Sequence, residues 1–130
     1  MVMSDPDACA AITFSDLPPA EGLAWTKQMP EHSTASFAGK LTYPGWKYIP
    51  VSFLLCEEDK IIPLDFQKQM VEMVTKETGK DVDVHVLSCG HCPNASVPGK
   101  VVEALRKAAG EAIEEVEWKT RPVEASMIIV

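Results

Sequence analysis

Downstream of Tyr48 the hydrophobic residues fall into short, regular runs, whereas upstream of it they are scattered. Val51-Ser52-Phe53-Leu54-Leu55-Cys56 is almost continuously apolar, which predicts a strand buried on both faces. Pro63 and Asp65 open a helix in which Phe66, Met70, Met73 and Val74 recur at helical spacing as core positions, and Gly79 closes it. Val82, Val84 and Val86 alternate with Asp83 and His85, predicting a strand with one polar face and His85 at the surface. Pro98 begins a last helix with Val101, Val102, Leu105, Ala108, Ala109 and Ala112 on its buried side. A tail follows and ends in Met127-Ile128-Ile129-Val130.

The upstream third is harder to read. Residues 1–15 are small and weakly patterned, and the first eight or so are expected to be mobile. Ser15-Asp16-Leu17-Pro18-Pro19 announces a helix, with Ser or Asp as cap and proline in the first turn, running to Met29 before Pro30. A short helical stretch spans Glu31 to Ala38 and stops at Gly39, and Tyr43-Pro44-Gly45 is a turn.

Strand, helix and strand from Val51 to Val86 are long enough for a parallel crossover, which makes the fold α/β. Two parallel strands leave open edges, and an apolar edge invites another chain. A homodimer or a partner-completed sheet is therefore expected, with the apolar tail as an extra or swapped strand.

Composition narrows the function. With 130 residues, 46% of them hydrophobic, the chain supports one modest core. A net charge of −7 argues against nucleic acid or an anionic membrane as partner. No apolar run is long enough to cross a bilayer, and the first residues carry acids where a signal peptide needs basic residues. Four cysteines without such a signal point to a reducing, cytoplasmic setting rather than a disulfide framework.

Two segments carry the candidate chemistry: Cys56-Glu57-Glu58-Asp59-Lys60-Ile61-Ile62-Pro63 after the first strand, and Ser88-Cys89-Gly90-His91-Cys92-Pro93 after the second. Cys89-Gly90-His91-Cys92 read alone is the tetrapeptide of a thiol redox site. It lies two-thirds along the chain, lacks a preceding aromatic residue and has no later strands to complete a thioredoxin-like sheet, so redox function is the weaker alternative. A zinc site built on Cys89, His91 and Cys92 lacks a fourth ligand. No metal and no cofactor is expected.

From Trp46 to Pro63 the sequence resembles the salicylate-esterase and hydroxynitrile-lyase branch of the α/β-hydrolases, and its fungal members most of all. Gln67, Gly90-His91-Cys92-Pro93 and Pro98 agree with that family's pattern. Phe14 to Pro19, Trp25, His32-Ser33 and Leu41-Thr42-Tyr43 resemble the second part of its cap. The similarity covers about residues 12–112 and implies a truncated α/β-hydrolase-like unit. Its expected parts are cap-like helices in residues 1–45, a C-terminal core in 46–112 and a tail in 113–130. The resemblance makes Asp59 the triad acid and His91 the triad base, with Glu57 and Glu58 as competing acids.

No G-x-S-x-G elbow occurs among the seven glycines, so the nucleophile of such a triad is missing from this sequence. The initiating methionine and the tail after Ala112 favour a natural stand-alone chain. The expected function is a non-hydrolytic acid–base step, such as cyclisation, dehydration, isomerisation or a carbon–carbon bond step. His91 and Asp59 would act on a small hydrophobic metabolite of secondary metabolism, with Trp25, His32 and Cys92 as substrate-binding residues. The alternatives are a catalytically dead protein that binds a ligand or completes a partner, and an esterase whose serine comes in trans.

Overall fold

The computed structural model describes residues 5–111. The weakly patterned N-terminal stretch begins with a helix, α1 (Pro6–Thr13), so the expectation of mobility is corrected for residues 5–8. Its start follows local rules: Asp5 caps it, accepting the Ala8 N–H at 3.0 Å, and Pro6 takes a first-turn position that needs no donor. Small alanines hid its periodicity.

Helix α2 (Pro19–Thr26) packs on α1, burying Ala10, Thr13, Phe14, Gly22 and Thr26. Neither Ser15 nor Asp16 caps it. Pro18 holds the cap position without a side-chain bond, and Asp16 is engaged elsewhere. The helix ends at Thr26 rather than Met29. The stretch expected to be helical from Glu31 reduces to a 3-10 turn, Thr34–Ala38, before Gly39, and a second one, Gly45–Lys47, follows the predicted turn.

The crossover forms as expected. Strand β1 (Ser52–Cys56) leads through helix α3 (Leu64–Thr78) to strand β2 (Asp83–Leu87), and the two strands pair in parallel from Ser52↔Asp83 to Cys56↔Leu87. Gly79 ends α3 in the left-handed conformation that favours glycine, with φ 66°. A single helical turn, α4 (Pro93–Ser96), precedes α5 (Pro98–Ala108).

Burial departs from the sequence reading in three places. In β1 only Leu55 and Cys56, which point to opposite faces, are buried, with Phe53 and Leu54 half-covered, so the strand is enclosed on both faces only at its end. In β2 the phase is reversed: the His85 side chain is 17% exposed and pairs with Asp83 at 2.8 Å, whereas Val86 is 58% exposed. Register explains this, because Leu54, Cys56, His85 and Leu87 share one face. Leu54 and Val97 pack against the core of Cys56, Leu87 and Cys89.

The third departure lies in the helices. Phe66, Met70 and Met73 of α3 are exposed, while Gln67 is buried and Val71 and Val74 are half-buried. In α5 Ala104 is buried and Val101 half-buried, but Val102 and Leu105 face out, as do Ala108 and Ala109. Both helices were expected to turn these apolar residues inward. Ala112 and the tail expected to add a strand lie outside the described residues.

Candidate active site

The site forms where both strands end on the same side of the sheet. The chain after β1 folds back on itself: Asp59 Oδ1 accepts the N–H of Ile61 at 2.7 Å and of Ile62 at 2.9 Å, an Asx-type turn that leads into Pro63 and α3. The loop after β2 is stitched to it. Glu57 N–H donates to the Leu87 carbonyl at 2.9 Å, Glu58 N–H to the Cys89 carbonyl at 3.0 Å, and Ser88 Oγ to Glu57 Oε2 at 2.8 Å.

These bonds bring Asp59 and His91 together. His91 Nδ1 lies 2.9 Å from Asp59 Oδ2 and 3.1 Å from Oδ1. The Asp59 side chain is 6% exposed and that of His91 29%. Burial alone raises the Asp59 pKa. The Ile62 N–H, the His91 ring and the Ile61 N–H outweigh it and hold the carboxyl below its ordinary value. An ionised carboxylate only accepts, so Nδ1 of His91 carries the proton and Nε2 of the neutral ring is left as an acceptor. Of the three acids after β1, Asp59 takes the histidine and Glu57 takes Ser88.

An open hollow of about 200 Å³ touches this pair, walled by Phe53, Leu54, Met70 and Pro93 beside Asp59 and His91. It is smaller than the usual enclosed small-molecule site. A larger groove of about 480 Å³ runs past His85, Lys100, Glu103 and Lys107, but it touches neither member of the pair.

The remaining residues named from sequence, Trp25, His32 and Cys92, do not line that hollow, although Cys92 lies between His91 and Pro93, which do. Trp25 lies on α2, partly exposed and stacked on Phe14 at 6.5 Å between ring centroids. His32 is exposed, its Nδ1 3.1 Å from the Ser33 carbonyl and its ring 5.0 Å from that of Phe37. Cys92 is half-buried at the cap of α4, next in sequence to His91, and burial raises its thiol pKa, helped by the Asp16 and Asp59 carboxylates. Cys89 is 1% exposed and burial pushes its thiol up to about 12, far from a redox-active thiolate. Among the described residues no group of three or more His, Cys, Asp or Glu is placed to hold a metal ion. Nor is any helix there long and apolar enough to cross a membrane.

Residues 3–104 match the model of the alpha/beta hydrolase family. The chain belongs to that family. A probable hydrolase of Phoma sp. is 39% identical over 85 residues, which cover 65% of this chain and 35% of that protein. An alpha/beta hydrolase of Aspergillus novofumigatus is 38% identical over 73 residues, or 56% of this chain and 28% of its own length. The chain thus spans about a third of the length of the curated relatives it matches. Within this alpha/beta hydrolase family member, two supporting residues escaped the sequence reading. Asp16 looked like a helix cap, and Gln67 was noted only as agreeing with the family's pattern, with no role given to it.

Proposed function

We propose that His91, oriented by Asp59, is the proton-transferring group of an enzyme acting on a small hydrophobic substrate. The observation that supports this most is the 2.9 Å bond from Nδ1 to a buried, ionised carboxylate at the edge of an apolar hollow. With Nδ1–H tied to Asp59, Nε2 takes a proton from the substrate, and the carboxylate stabilises the imidazolium that forms. The same ring then returns the proton, either at another atom of the substrate or to a departing hydroxyl. Isomerisation, cyclisation or dehydration follows without an acyl-enzyme. One positioned acid–base group of this kind contributes about 10²–10⁴-fold.

The names of both relatives favour a second reading, hydrolysis. There the proton comes from a nucleophilic hydroxyl that the 130 residues do not offer in a G-x-S-x-G elbow. The exposed valine face of β2 and strand edges that no third strand covers among the described residues support a further element of the proposal: the sheet is completed by another chain, in the first instance a second copy.

A nitrobenzisoxazole, whose ring opens when a base removes its C–H proton, tests the dyad directly. The purified chain is expected to accelerate this opening, and His91→Ala to lose about 10² or more of the acceleration while staying folded. Acceleration that His91→Ala leaves intact would remove the dyad from the mechanism. A serine-directed fluorophosphonate separates the two readings: no labelling is expected for proton transfer alone, and labelling would favour hydrolysis.

A further inference from the structure

We propose that Asp16 is a positioning residue for His91. Its carboxylate anchors the peptide unit from which the histidine springs. Asp16 sits in the turn between α1 and α2, and its Oδ2 accepts the Gly90 N–H at 2.6 Å, a contact between residues 74 apart in sequence. Gly90 immediately precedes His91.

The peptide linking Cys89 to Gly90 is held at both ends. Its carbonyl accepts the Glu58 N–H at 3.0 Å, from the loop that carries Asp59, and its N–H goes to Asp16. Turning this peptide would break both bonds, one of them to a charged acceptor, and would swing the backbone that aims the imidazole. The Asp16 bond therefore fixes a direction that the acid loop alone leaves free to rotate about a single hydrogen bond.

The packing shows how close this approach is. A Cβ built on Gly90 would lie 2.7 Å from Asp16 Oδ1, 2.9 Å from its Cγ and 3.1 Å from Ser15 Oγ. Only glycine lets the turn come this near. Among the described residues Asp16 Oδ1 is buried with no partner at full hydrogen-bond geometry, the Ser96 hydroxyl lying nearby. Burial raises the Asp16 pKa, but the nearby Ser96 hydroxyl and the Gly90 N–H outweigh it, so the carboxyl stays below its ordinary value and remains an acceptor at neutral pH.

The inference rests on reading His91 as the acid–base group, yet its test does not use turnover. In the labelled full chain, the His91 Nδ1–H proton bonded to Asp59 gives a low-field NMR signal. Asp16→Ala is expected to broaden that signal beyond detection, and Asp16→Asn, whose amide oxygen can still accept from Gly90, to restore it. A folded Asp16→Ala chain with an unchanged His91 signal overturns the proposal, whatever happens to its melting temperature. Should Asp16→Ala fail to fold, exchange of the Gly90 amide in the wild-type chain decides. Protection of about a hundredfold or more over an unstructured peptide is expected, and exchange at the unstructured rate overturns it.

Discussion

Gln67 grips both backbone groups of Cys56. Its Oε1 accepts the Cys56 N–H at 2.9 Å, and its Nε2 donates to the Cys56 carbonyl at 2.9 Å and to the Ile62 carbonyl at 2.7 Å. Glu57 N–H reaches the Leu87 carbonyl and Asp83 N–H the Val51 carbonyl, so alternate residues of β1 face β2. Cys56 turns its own groups to the opposite edge. There the buried Gln67 amide takes the place of a neighbouring strand and ties the strand end to the turn that carries Asp59.

Replacing Gln67 by Leu keeps the helix but leaves the buried Cys56 N–H and carbonyl without partners. The expected loss is about 2–4 kcal/mol of stability, read from the midpoint of urea unfolding. An unchanged midpoint would show that water or another side chain satisfies these groups.

Much of this was legible from sequence. The apolar run, the periodic helix and its closing glycine located β1, α3 and β2, and the two motif loops fall at the strand ends that bring Asp59 and His91 together. Burial was less legible, because period gives faces without saying which face is covered. Val84 and Val86 looked like core, but Leu87 lies in the opposite phase and reaches the cysteine cluster, taking His85 inward with it. Asp16 was illegible for another reason. A short-range cap and a contact across 74 positions call for the same residue type, and sequence spacing favours the local choice.

Acid should weaken the site through Asp59. Its folded pKa lies below the ordinary 3.8, so its contribution to stability is complete above about pH 4 and is lost as pH falls through the folded value. Asp59→Asn lacks that contribution at every pH. Denaturant unfolding of the two chains is therefore expected to differ near neutrality and to converge below pH 4. A difference independent of pH would mean that the carboxylate charge contributes nothing.

Cys89 should be almost inert. A thiol pushed from 9.0 to about 12 holds about a thousandfold less thiolate near pH 8, before its burial is counted. Iodoacetamide followed by peptide mass spectrometry is expected to modify Cys89 far more slowly in the native chain than in urea. Rapid native labelling, or a Cys89–Cys92 disulfide under mild oxidant, would revive the redox reading of this loop.

The proposed completion of the sheet makes the last prediction. Among the described residues no third strand pairs with the outer edge of either strand, Gln67 covering only the Cys56 end of β1, and Val84 and Val86 lie exposed on one face with Phe53 half-covered beside them. Exposed apolar strand surface of this kind is stable in water when another chain covers it. Sedimentation of the purified chain at micromolar concentration is expected to show a dimer, and Val86→Asp to shift it towards monomer, because a carboxylate buried in that contact would lose its water. Val86 lines the larger groove and not the hollow that touches the dyad, so the Asp59–His91 bond is expected to survive the substitution. A monodisperse wild-type monomer would overturn completion by a second copy.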